Sequence, residues 1–165
     1  MIRVDQAGEY GAMRIYQGQL AVLGDRTKDR KAAAAIRRMA EQEARHLARF
    51  DRLLNERKVR PTALSPLWQV AGYALGAGTA LLGSRAAMAC TAAVEEVIDE
   101  HYGKQIERLD RDPLLRHSVR EFRADERAHR KEALAHGAAG AAGYRALSGA
   151  IKTACRLAIR LSEKI

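Results

Sequence analysis

Glu43-Ala44-Arg45-His46 and Glu126-Arg127-Ala128-His129 carry one spacing twice. On an α-helix, residues i and i+3 share a face, so each copy turns a carboxylate and an imidazole the same way. Twelve glutamates and five histidines in 165 residues would meet at this spacing less than once by chance. Two further glutamates extend the pattern. Glu9 lies 34 residues before the first copy and Glu95 lies 31 before the second. Each sits in an apolar stretch, after Ala7-Gly8 and after Ala92-Ala93-Val94. A carboxylate in such surroundings is costly unless it is paired or bound to metal. The halves also repeat around them. Tyr16 follows Glu9 by seven residues, as Tyr102 follows Glu95, and Gln19 and Gln105 share an offset of ten.

This is a duplicated helical hairpin. One Glu from each of two helices, and Glu-x-x-His from each of two others, is the metal signature of ferritin-like four-helix bundles. Four carboxylates and two imidazoles suit two iron or manganese ions better than zinc, which takes fewer ligands. The expected ligands are Glu9, Glu43, His46, Glu95, Glu126 and His129. His117 and His136 lack a partner at metal spacing and read as solvated. Glu96 and Glu100 read as the exposed side of their helix, and Met39 and Met88 as core.

Working outward, the period is helical nearly everywhere. Helices are expected over about 4–23, 29–57, 67–82, 84–109, 113–136 and 144–164. Gly24 ends the first, and Asp29 caps the second. Ser65-Pro66, Ser84 and Asp112-Pro113 read as starts, with proline in the first turn. No stretch alternates long enough to demand a strand. The chain reads as one all-α domain over residues 1–165.

Composition agrees. Net charge is +9, hydrophobic residues make up 47% and aromatics 5%, which excludes a disordered chain and argues against a β-sandwich. Cys90 and Cys155 stand far apart and form no zinc or CxxC pattern. The positive charge is scattered, without aromatic interleaving or a recognised nucleic-acid motif, so nucleic acid is not the expected partner. Gly76-Ala77-Gly78 lacks the third glycine of a dinucleotide fingerprint. Gly78 and Gly83 are followed by Ser84-Arg85, where a P-loop needs Lys-Ser/Thr.

Between Arg60 and Arg85 there is no charge. Prolines, Gln69 and four glycines dilute this window too far for a confident membrane span. It reads as an interfacial segment lying in one leaflet, with a buried core helix as the alternative. In the last helix, Lys152, Arg156, Arg160 and Lys164 form a cationic stripe beside Ile151, Cys155, Ala158 and Ile159. That pairing suits an anionic membrane surface as well as an ordinary solvated face.

The sequence resembles the demethoxyubiquinone hydroxylases. The likeness rests on Ile2-Arg3-Val4-Asp5-Gln6-Ala7-Gly8-Glu9-Tyr10-Gly11-Ala12, Glu41-Gln42-Glu43 with His46-Leu47, Arg60-Pro61-Thr62, Gly76-Ala77-Gly78-Thr79-Ala80-Leu81-Leu82-Gly83, and Ala89-Cys90-Thr91 running into Ala93-Val94-Glu95-Glu96 and His101-Tyr102. It implies a di-iron monooxygenase of ubiquinone synthesis that hydroxylates a demethoxyubiquinol ring with O2. It implies that Glu9 and His46 hold one iron and Glu95 and His129 the other, with Glu43 and Glu126 bridging. It gives His101 and Tyr102 a part in substrate or electron transfer.

The substrate's polyprenyl tail implies monotopic attachment to the cytoplasmic face of a bacterial inner membrane, or to the mitochondrial matrix face. Electrons come from an external donor. Expected partners are other ubiquinone-synthesis proteins, including a lipid-binding one that meets the Trp68–Leu82 face, and a second copy of the chain. A ferritin-like iron store or peroxide scavenger is the alternative with the same ligands. The chain begins eight residues before Glu9, with no transit segment, and reads as a bacterial protein or a mature or trimmed form.

Overall fold

The computed structural model describes residues 1–24 and 29–165 and forms helices α1 (Ile2–Leu23), α2 (Arg30–Glu56), α3 (Ser65–Leu81), α4 (Ser84–Ile106), α5 (Pro113–Ala135) and α6 (Tyr144–Lys164). A single 3-10 turn, Ala138–Gly140, links the last two. No strand occurs among the described residues. The all-α expectation holds, with differences at helix ends. Asp112 caps α5 as expected, accepting from the Leu115 amide at 3.1 Å, with Pro113 in the first turn. Ser65 is inside α3 rather than before it, and its hydroxyl donates to the Thr62 carbonyl. The residue before α4 is Gly83, at φ +112°, a backbone state that favours glycine over Ser84. The α4 helix stops at Ile106 because the chain turns through residues 107–112 to reach α5.

α1 pairs with α2 and α4 pairs with α5, and the two hairpins meet through α1 against α4 and α2 against α5. The duplication runs further than the hairpins. In the first half α3 folds back on α1, and in the second α6 folds back on α4. Each outer helix also touches the first helix of the opposite half. One apolar cluster gathers Tyr16, Leu23, Ile36, Met39 and Met88, and another gathers Phe50, Leu53, Tyr102, Leu115 and Val119. Met39 and Met88 are core, as their sequence context predicts.

α3 is neither a core helix nor an ordinary surface one. Its buried residues are Gly72, Gly76, Thr79 and Ala80. Leu67, Val70, Leu81 and Leu82 stand 54–74% exposed on its other side. The glycines let backbones touch: a β-carbon at Gly76 would stand 2.0 Å from the Ile15 carbonyl oxygen, and one at Gly18 would stand 2.2 Å from that of Tyr73. Trp68 and Leu75 turn inward instead, and Trp68 Nε1 donates to Ser162 Oγ of α6 at 3.0 Å. Among the described residues no helix is long and apolar enough to cross a membrane.

α6 departs from its expectation. Lys152 pairs with Glu96 at 2.5 Å, and Arg156 pairs with Glu100 at 3.0 Å. Half of the cationic stripe is therefore turned to α4, while Arg160 and Lys164 stay exposed. Glu96 and Glu100 are half-buried anchors rather than a solvated face, and Glu96 also receives Arg130 of α5 at 2.8 Å. His117 is solvated, whereas His136 is half-buried.

Gly76→Ala should lower stability by about 1–3 kcal/mol through overpacking, lowering Tm by several degrees in a circular-dichroism melt. Gly78→Ala, whose β-carbon meets nothing within 4 Å, should be neutral or stabilising by up to about 1 kcal/mol. Equal melts for both variants would mean that the α1–α3 contact does not limit stability.

Candidate metal centre

The four bundle helices bring all six expected ligand residues together. Glu9 comes from α1, Glu43 and His46 from α2, Glu95 from α4, and Glu126 and His129 from α5. Each is at most 1% exposed. One atom each from Glu9, Glu43, His46 and Glu126 lies within 4.8 Å of the others, and the same holds for Glu43, Glu95, Glu126 and His129. Two four-residue clusters thus share Glu43 and Glu126.

Eight atoms of these residues are buried without a hydrogen-bond partner. They are Glu9 Oε2, Glu95 Oε2, both oxygens of Glu43 and of Glu126, and Nδ1 of both histidines. A buried polar atom left unpaired costs about 1–3 kcal/mol, and more if charged. Eight of them turned on one space fit cations far better than they fit one another. Two divalent ions would balance four carboxylates and satisfy every orphan, so the residues present fit a dinuclear site.

The electrostatics of the metal-free protein point the same way. Burial pushes the Glu9 and Glu95 carboxyls well above the usual carboxylate range, and neighbouring Glu43 and Glu126 add to it. Burial and the Glu43 charge lift Glu126 to about 8. Burial also opposes ionisation of Glu43, but the Glu9 carboxyl and the His129 and His46 rings that face it outweigh burial and hold Glu43 low. Desolvation works against protonating the histidines, yet the carboxylates around them raise both. Without metal, the cluster therefore retains protons near neutral pH.

A second ring, which includes the repeat-related pairs Tyr16/Tyr102 and Gln19/Gln105, holds the first in place; Asp125 and Gln42 are members to which the sequence reading gave no role. Tyr16 of α1 donates to Glu95 of α4, and Tyr102 of α4 donates to Glu9 of α1. Burial and the facing carboxylates keep both phenols protonated as donors. Gln19 Nε2 donates to Thr91 Oγ1 at 3.2 Å, and Gln105 Nε2 donates to Asp5 Oδ2 at 2.6 Å. His46 Nε2 donates to Asp125 Oδ2 at 3.0 Å, and His129 Nε2 donates to Gln42 Oε1 at 2.9 Å. These bonds set the tautomers and turn Nδ1 of each ring inward. The signal was present: Tyr16 shares the repeat offset of Tyr102, and Gln42 and Asp125 each precede the Glu of a motif.

Tyr102 therefore reaches the cluster, through Glu9. His101 does not touch it. His101 lies beside buried Asp5, one turn before Glu9, with Nε2 3.0 Å from Asp5 Oδ1 and its side chain 20% exposed.

A cavity of about 180 Å³ runs between α1, α3, α4 and α6. Gly8 and Gly11, Leu75, Val94 and Cys155 are among its lining, which is apolar except for Ser162. Gly8 and Val94 adjoin the ligands Glu9 and Glu95 in sequence. A β-carbon on Gly8 or Gly11 would meet nothing within 4 Å, so these glycines widen the space. Burial pushes the Cys155 thiol up to about 11, which leaves the wall uncharged.

Comparison with known proteins bears on this geometry. Residues 1–162 match the family described as ubiquinone biosynthesis protein COQ7. The chain is 55% identical over 165 residues to a 3-demethoxyubiquinol 3-hydroxylase of Rhodospirillum rubrum, covering 99% of the chain and 76% of that relative. It is 50% identical over 170 residues to the human NADPH-dependent 3-demethoxyubiquinone 3-hydroxylase, mitochondrial, covering 100% of the chain and 76% of the relative. A Saccharomyces cerevisiae protein, 5-demethoxyubiquinone hydroxylase, mitochondrial, is 40% identical over 181 residues, with 100% and 77% covered.

Loading the metal-free protein with two equivalents of a divalent ion should release protons, and apparent affinity should rise with pH between about 5 and 8. Groups whose pKa is raised in the folded state give stability below their unfolded value and lose it as pH rises. Melting temperature of the metal-free form should accordingly fall over that interval, where Glu126 titrates from its usual 4.5 toward about 8. Bound metal should abolish the fall. A flat, metal-insensitive melting profile would contradict the protonated cluster.

Proposed function

The chain belongs to the ubiquinone biosynthesis protein COQ7 family of hydroxylases, and on that footing we propose that its buried cluster is a di-iron centre that hydroxylates the ring of a membrane-borne demethoxyubiquinol. The supporting observation is the pair of clusters sharing Glu43 and Glu126. Glu9 and His46 would hold one iron, Glu95 and His129 the other, and Glu43 and Glu126 would bridge. Bound iron supplies the activation of O2, which places one oxygen atom on the ring and releases the other as water, using two electrons and two protons. The electrons come from an external donor, which the names of the human and mouse relatives give as NADPH.

The protein's own part is to bind, orient and exclude water. Tyr16 and Tyr102 fix the carboxylates of the opposite hairpin and keep one oxygen of each free for metal. The apolar cavity takes the quinol ring and the start of its tail, with Gly8 and Gly11 giving the ring room beside Glu9. His101 and Asp5 hold a proton position at Nε2 between the surface and α1, and Tyr102 carries one at Oη against Glu9. This is the part we assign to the His101-Tyr102 pair.

The exposed Leu67, Val70, Leu81 and Leu82 of α3, with Leu157 of α6, form the face that meets one leaflet, from which a polyprenyl tail enters the cavity. A lipid-binding partner from the same pathway would dock on that face too. The iron-storing alternative loses its ground, because the relatives are hydroxylases.

Iron after anaerobic reconstitution should approach two per chain and be lost in Glu43→Ala/Glu126→Ala protein. The double variant should not restore ubiquinone in cells lacking their own hydroxylase, and restoration would overturn the assignment. Gly11→Leu should retain two irons yet lose more than about tenfold in turnover, because the new side chain fills the cavity. Full turnover would place the substrate elsewhere.

A further inference from the structure

The six cluster residues match between the two halves, but the groups behind the two histidines do not. Gln42 precedes Glu43 as Asp125 precedes Glu126, and each accepts the outward N–H of the opposite hairpin's histidine. His46 thus leans on a carboxylate at 3.0 Å, and His129 leans on a neutral amide oxygen at 2.9 Å. A carboxylate acceptor draws the shared proton more strongly and makes the inner nitrogen a better donor to a cation. It also adds a negative charge near one position only. The Phe122 ring stacks on His46 with centroids 4.0 Å apart, which shields that bond from water on one side.

From this difference we propose that the two metal positions are unequal: the position formed by Glu9 and His46 fills first and more tightly, and the one formed by Glu95 and His129 fills second. The inference rests on the reading that the six residues hold two ions. It makes Asp125 and Gln42 positioning residues, acting on the metals through the imidazoles without touching them. The second ion, held by the less basic histidine, is the more readily exchanged.

The test is anaerobic titration with ferrous 57Fe, followed by binding isotherm and Mössbauer spectrum. With one equivalent, wild-type protein should show predominantly one quadrupole doublet, the second growing in only toward two equivalents. Asp125→Asn should weaken the first binding step roughly 10- to 100-fold and shift the half-loaded spectrum toward the second doublet. Gln42→Glu should tighten the weaker position, so that both doublets appear at half loading. Circular dichroism and total uptake near two report that a variant has kept its fold, and the Gln42→Glu arm stands alone should Asp125→Asn not fold. Equal doublets in half-loaded wild type, or an unchanged first step and spectrum in Asp125→Asn, would overturn the inequality while leaving the dinuclear reading intact. Total wild-type uptake well below two would overturn that reading and the inequality with it.

Discussion

Four carboxylates buried in one dry space are the constraint to which the rest of the molecule answers. Each costs several kcal/mol to desolvate, and like charges at this separation resist joint ionisation. The bundle accommodates them with protons when no cation is bound, and with hydrogen bonds from Tyr16 and Tyr102 that leave one oxygen each of Glu95 and Glu9 unused. Tyr16 and Tyr102 each cross from their own helix to a carboxylate on the opposite one. The apolar clusters on either side keep water out. Function and stability therefore pull against each other here: the unpaired oxygens that would raise the free energy of an ordinary core are what make this one a site.

The reciprocal bonds give the site its rigidity. Tyr16 with Glu95 and Tyr102 with Glu9, then Gln19 with Thr91 and Gln105 with Asp5, are the same contacts made twice about a pseudo-twofold axis. Departures from that symmetry are informative because the fold does not require them. His101 stands where the first half has Ile15, and Asp5 where the second half has Thr91. The two departures bond to each other, His101 to Asp5, one turn before Glu9.

Much of this was legible in the sequence, because helical period fixes which side chains share a face. The Glu-x-x-His spacing and the apolar settings of Glu9 and Glu95 picked out the six residues that cluster, and the two hairpins, since residues three apart on one helix need no knowledge of the partner helix. The outer helices were harder to read. Glycines at 72 and 76 look like dilution of an apolar run, and only the α1 carbonyls, 3.0 and 2.0 Å from where β-carbons at these positions would stand, show what they are for. The cationic stripe of α6 looked free because Glu96 and Glu100, which neutralise half of it, lie on another helix at no fixed sequence distance. Trp68, expected on the docking face, instead ties α3 to α6 through Ser162.

The shared carboxylates also bear on how the chain is made. Glu9, Glu43 and His46 all lie in the first half, yet their cluster lacks its fourth member until Glu126 arrives from α5. A ribosome feeding the chain out from its amino end would expose three ligands long before the set is complete. The half-built site holds one imidazole and two carboxylates, one residue short of the cluster. The first cluster is thus complete only once the second hairpin has closed over the first.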